Sequence, residues 1–241
     1  MTTWIPYCGA APLPAEAWGR WNLDPVLLLV LGAGFALTMW RTQGRARLFA
    51  GSAFAVLAVG FVSPLCALSS ALFSARTLHH LLLVCAAAPL LAWSLPRLAP
   101  GRLALATLAQ TAVFWMWHAP PVYGAALSHD GLYWLMQLSL LASAMWFWAA
   151  VRAASAPAAV AALLAAMIQM GLLGALITFA GQAVYEPHLL TTAPWGMTAL
   201  EDQQAAGLIM WAPAAAVYMA AALVILGRWL GPDRGLGARA A

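Results

Sequence analysis

Ala75-Arg76-Thr77-Leu78-His79-His80-Leu81-Leu82-Leu83-Val84 places two adjacent histidines at the mouth of an apolar run. Imidazole is polar and ionises near neutral pH, so a hydrocarbon environment is a costly place for it unless partners or water accompany it. Whether that environment is a membrane is decided by the surrounding chain. Hydrophobic residues make up 64% of the 241 positions and charged residues 7%, a balance that no water-facing globular surface accepts. The chain therefore reads as an integral membrane protein. At about 20 residues per crossing plus a connection, it has room for one helical bundle and none for a second, soluble domain.

Working outward, seven apolar segments are bounded by Pro, Gly, Arg or acidic residues: Pro25 to Trp40, Leu48 to Leu68, Leu78 to Leu95, Arg102 to His118, Leu132 to Val151, Ala158 to Gln182 and Gln204 to Trp229. Ala119-Pro120-Pro121 stops the fourth by removing backbone donors, and Pro213 predicts a kink in the seventh. The expected architecture is an all-α bundle of seven transmembrane helices over residues 25–230. A segment 1–24 precedes it and a tail 231–241 follows. The first 24 residues lack a basic start and a continuous apolar core, so they do not read as a cleavable signal peptide.

The formal charge of +4 is carried by arginine alone. Arg41, Arg45, Arg47, Arg97, Arg102, Arg152, Arg228, Arg234 and Arg239 fall on one side of the seven segments, whereas only Arg20 and Arg76 fall on the other. Positive charge is retained in the cytoplasm. This predicts an outer amino terminus and a cytoplasmic carboxyl terminus. Histidines took no part in that assignment, yet all five, His79, His80, His118, His129 and His188, land on the outer side. Glu16, Asp24, Asp130, Glu186, Glu201 and Asp202 join them, leaving Asp233 as the inner acid. Scattered arginines form no basic patch, so nucleic acid is not indicated as a partner.

His79, His80 and His118 lie at the outer ends of consecutive, antiparallel helices, where their rings can converge. Imidazole suits copper, zinc and iron, and thioether sulfur suits copper(I), which adds Met136 and Met210 as candidate ligands. Against this stands a reading in which interfacial histidines bond backbone or lipid and the methionines simply pack. Loop residues His129 and His188 are expected to face water. Thr198 to Glu201 has capping-box spacing, and Asp202 is a candidate acceptor that fixes an imidazole tautomer. Cys8, Cys66 and Cys85 form no CxxC pair, a disulfide framework is not expected, and Cys85 reads as a small buried hydrophobe. Gly171, Gly174, Gly181 and Gly207 are expected to permit close helix contact. A chain without lysine cannot form a retinal Schiff base, and GxSxG and HExxH are missing, so hydrolases of those kinds lose support; a non-catalytic role is expected.

Ser74-Ala75-Arg76-Thr77-Leu78-His79-His80-Leu81-Leu82 with Ala88-Pro89-Leu90-Leu91, Trp117-His118-Ala119-Pro120 with Tyr123, Gly174-Ala175-Leu176-Ile177-Thr178-Phe179, and Glu201-Asp202-Gln203-Gln204 running to Met210-Trp211 together resemble the multispanning CtaG family. These are bacterial cytochrome c oxidase assembly factors, distinct from the single-span copper chaperone that shares the name. The resemblance implies a multi-pass protein of the bacterial cytoplasmic membrane that matures a haem-copper oxidase, with oxidase subunits as partners and copper handled at the outer face. It carries over His80, His118, Asp202 and Gln203, with His79 beside them. Two departures stand out: a family histidine is Arg76 here, and another is replaced within Tyr133-Trp134-Leu135-Met136. A cytochrome whose haem is ligated by His80 and His118, and a transporter of a metal or small solute with helices broken at Pro64, Pro89 and Pro213, are the alternatives.

Overall fold

The computed structural model describes Trp4, residues 6–95 and residues 101–231. Arg97, Asp233, Arg234, Arg239 and nearly all of the 231–241 tail lie outside the described residues, so their expected side of the membrane is not addressed by the fold. The described chain is helical, with no strand. Its helices are α1 (Pro25–Arg41), α2 (Gly44–Phe61), α3 (Leu65–Ala71), α4 (Phe73–Leu81), α5 (Ala88–Ser94), α6 (Leu103–His118), α7 (Pro120–Ser128), α8 (Asp130–Ala153), α9 (Ala156–Thr178) and α10 (Ala199–Leu230). A π-helical segment, Leu82–Ala87, joins α4 to α5.

Five helical stretches are long and apolar enough to cross a membrane: Gly44–Phe61, Phe73–Ser94, Asp130–Ala153, Ala156–Thr178 and Ala199–Leu230. Helices α1 and α6, at 17 and 16 residues, are shorter. Each of the seven expected segments is thus largely helical, but two boundaries move in ways that matter. The second segment ends at Phe61, and Ser63-Pro64 turns the chain into the separate helix α3. The third begins at Phe73, so Arg76, His79 and His80 stand inside the first turns of the crossing and not at its mouth.

Local chemistry accounts for the breaks. Asp24 accepts hydrogen bonds from the amides of Val26 and Leu27 and starts α1, with Pro25 at the first helical position. Those bonds and the Tyr7 hydroxyl hold its carboxyl below the usual carboxylate range. Pro120 and Pro121 end α6 and, having no amide to satisfy, begin α7. Within the π segment the Ala88 amide bonds the Leu83 carbonyl, and the next amide in that register would belong to Pro89, which has none. The Val84 carbonyl thereby freed accepts from Trp148 Nε1 at 2.9 Å.

One apolar core joins α4, α6, α8, α9 and α10, and a smaller one lies between α1, α2 and α5. At the seam of α9 and α10, a Cβ on Gly174 would lie 2.8 Å from the Gly207 carbonyl, and one on Gly207 would lie 2.5 Å from the Gly174 carbonyl. Only glycine allows that approach. Gly171 is less crowded, with a Cβ there 3.3 Å from the Trp211 side chain, and nothing crowds Gly181.

Candidate functional site

The site grows from the start of α4. Extended backbone at Leu72 separates α3 from α4, so the new helix needs its own cap. Asp202 supplies it from α10: its carboxylate accepts from the Phe73 amide (2.6 Å), the Ser74 amide (3.2 Å) and the Ser74 hydroxyl (2.5 Å). Asp202, expected as an acceptor for an imidazole, here directs its oxygens at a helix end. Gln203, next in the chain, accepts from the Val184 amide at 2.8 Å and donates to the Ile177 and Gln182 carbonyls. It too is directed at backbone.

With α4 fixed against α10, its second and third turns bring Arg76, His79 and His80 into the protein interior, all fully buried. The His80 ring lies 5.4 Å from that of His118, edge to face, and 6.1 Å from that of His79. Convergence of the three rings is therefore found, with His80 in the middle. His118 Nδ1 lies 2.7 Å from the Phe114 carbonyl one turn back in α6. A carbonyl only accepts, so Nδ1 carries the proton and Nε2 is left with a free lone pair. The tautomer partner sought in Asp202 is supplied by backbone instead. His79 packs against Phe61, 4.8 Å between ring centres, in space that Gly60 leaves open: a Cβ there would lie 2.9 Å from the imidazole.

Among the described residues, neither nitrogen of His79 or His80, nor Nε2 of His118, has a hydrogen-bond partner. Among the described residues, no group of three or more His, Cys, Asp or Glu is arranged around a common metal position. Two imidazoles face one another; a third stands beyond. Met136 and Met210 are both fully buried in the core that also contains Phe114 and Trp117.

Above these rings the loop between α9 and α10 closes the end of the bundle. Tyr185 stacks on Phe73 at 3.8 Å and donates to the His118 carbonyl at 2.7 Å. His188, expected in water, is only 2% exposed. Burial, with the Arg76 charge nearby, pushes its imidazole down to about 3, so the ring is neutral near pH 7. It then donates from Nδ1 to the Ala71 carbonyl at 3.3 Å, while Nε2 accepts from the Tyr123 hydroxyl at 2.6 Å. The only hint in the sequence was its neighbour Pro187, which starts a single turn that carries the ring inward. His129, by contrast, is exposed as expected.

Cys8 and Cys66 form a disulfide that ties the amino-terminal segment to α3, against the expectation from their spacing. A disulfide sulfur cannot donate, so the Tyr133 hydroxyl donates to Cys8 Sγ at 3.4 Å. Their separation of 58 residues concealed the pairing, which depends on the amino-terminal segment folding back over α8. Cys85 remains a free thiol, partly buried against the core.

Comparison with protein-family models matches residues 101–231, more than half of the chain, to the cytochrome c oxidase caa3 assembly factor family (Caa3_CtaG). The matched region contains His118, Asp202 and Gln203 and begins after His79 and His80. No curated protein and no solved structure matches the chain.

Proposed function

Because the chain belongs to the cytochrome c oxidase caa3 assembly factor family, we propose that it crosses the bacterial cytoplasmic membrane seven times and passes copper(I) to a maturing haem-copper oxidase subunit. Its amino terminus is outside and its carboxyl terminus cytoplasmic. Helices α1 and α6 make the two crossings shorter than the rest, and the remaining described arginines fit the inner end. Arg47, for example, donates to the Met39 and Thr42 carbonyls at the α1–α2 turn, and Arg152 donates to the Ala92 carbonyl near the end of α5.

The observation that carries the reading is the pairing of His80 and His118. Two imidazoles with free nitrogens, 5.4 Å apart between ring centres and shielded from water, are a donor set for a soft monovalent ion. His118 is preset for ligation by its Nδ1–H bond to Phe114. His79 is a third candidate donor, and Met136 and Met210 are thioether candidates from facing helices. Haem fits less well: the macrocycle needs a slot between its two axial rings, and here His118 is stacked 4.4 Å from Phe114 while His79 abuts Phe61. Copper is cargo in this reading, held and released, so a modest donor set suits the task.

The test is competition of the purified protein against a copper(I) chelator. One copper(I) per chain is expected. Replacing both His80 and His118 by alanine is expected to weaken binding at least tenfold while the melting temperature shows the fold intact. Unchanged stoichiometry and affinity in the double variant would remove both residues from the site, and a Soret band in the purified protein would favour haem.

A further inference from the structure

Arg76 lies on the same helical turn sequence as the histidines, three and four residues before them, and is fully buried. Its Cζ stands 5.2 Å from the centre of the Tyr133 ring. His79, His80, His188, Tyr123 and Tyr133 are all within electrostatic reach of the guanidinium. None of its three nitrogens makes a well-aligned hydrogen bond among the described residues, and the side chains nearest to partnering it, the Tyr123 and Tyr133 hydroxyls, are neutral. The acid that binds the same helix, Asp202, spends its oxygens on Phe73 and Ser74.

A guanidinium does not lose its proton, so this is a permanent positive charge held away from water. Burial of an ion without a counter-charge is costly, and a cation–π contact offsets only part of that cost. The shortage is local. Of the fifteen buried side-chain nitrogen and oxygen atoms without a partner among the described residues, nine belong to Ser70, Arg76, Thr77, His79 and His80. Five of these nine are hydroxyls or guanidinium nitrogens that can donate, and no ionised carboxylate is among them. What this corner lacks is a negatively charged acceptor. A cation seated on the nearby imidazoles would deepen that need, since it would add a second positive charge to the same desolvated volume.

We propose that Arg76 is the anchor of an anion site: a small, singly charged anion, a halide or a small carboxylate, sits on the guanidinium beside the histidine row. This goes beyond the copper reading and does not depend on it. The anion neutralises Arg76 in the resting protein. When a cation is carried, the same anion balances its charge.

Metal-free protein, purified with a chelator and exchanged into a buffer whose only anion is large and weakly coordinating, is titrated with thiocyanate while its C≡N infrared stretch is followed. A saturable, one-site shifted band is expected in the wild type. Chloride or acetate should displace it, and whichever acts at the lower concentration gives the class of the natural anion. R76Q should lose affinity at least tenfold. R76K, which keeps the charge without the planar fork, should retain weakened binding and serves as the decisive variant if R76Q fails to fold. No saturable band in the wild type, a band displaced by neither anion, or equal affinity in folded R76Q or R76K and wild type would overturn the proposal. Since no metal is present, none of these outcomes bears on copper(I) binding by His80 and His118.

Discussion

Helix α10 has two neighbours that differ in one respect. Along α9 the buried polar groups at the contact are bonded: Thr178 Oγ1 donates to the Gly174 carbonyl at 2.8 Å, Gln203 makes three bonds to backbone, and glycines let the main chains touch. Toward α4 the first bonds, from Asp202 to Phe73 and Ser74, are equally complete. One turn further along α4, where Arg76, His79 and His80 turn toward α8, α2 and α6, the accounting fails, at Arg76, Thr77, His79 and His80. A protein interior tolerates unpaired polar groups poorly. A packed seam beside an unsatisfied one separates what holds the bundle together from what the bundle was built to hold.

The most damaging way to break that comparison is at the satisfied seam. A side chain at Gly207 would overlap Thr178 Oγ1 and the Gly174 carbonyl, which are backbone or backbone-bound and have nowhere to go. G207L should therefore separate α9 from α10, with a loss of about 3 kcal/mol or more from overpacking. In practice the variant should accumulate poorly in membranes or melt far below the wild type. A melting temperature within a couple of degrees of the wild type would mean that the seam yields more than its close contacts imply.

Asp202 comes next. D202A strands two amides and a hydroxyl at the start of α4, which should cost about 2 kcal/mol, while D202N keeps an acceptor and should lose less. The melting temperatures of the two variants give the order. The measurement also separates two roles for this residue. As a cap, Asp202 affects stability first and copper(I) affinity only through the placement of α4. As an imidazole partner, it would lower copper(I) affinity in D202N at unchanged stability.

How much of this was legible in the sequence follows from the range over which each feature is determined. The apolar runs, the proline stops, the capping box of Thr198 and Glu201, and the close packing at Gly174 and Gly207 are set within a few residues or by side-chain size, and they were readable. The convergence of His80 and His118 was also accessible, since a short connection makes their helices antiparallel neighbours. The Cys8–Cys66 bond, the inward turn of His188 and the use of Asp202 by α4 were not. Asp202 and Phe73 are 129 residues apart in sequence, and no local pattern in either stretch announces the other. Starting the third crossing at Leu78 also hid a consequence: with α4 beginning at Phe73, Arg76 is an interior residue rather than an outer-loop cation.

The smallest expected effect is the sharpest test of the comparison. His80 is fully buried, and neither of its ring nitrogens has a partner among the described residues, so removing them gives up no hydrogen bond there and relieves the desolvation of two polar atoms. Leucine is slightly larger than histidine and branched rather than planar, so it fits the same space less well and gives up the ring contact with His118, 5.4 Å away. The two contributions oppose one another, and H80L should leave the stability of the metal-free protein within about 1 kcal/mol of wild type. Copper(I) should then stabilise the wild type by mass action and leave H80L unmoved. A loss in metal-free H80L as large as that in D202A would make His80 a structural residue like its capping neighbour, and the contrast between the satisfied and the unsatisfied seam would disappear.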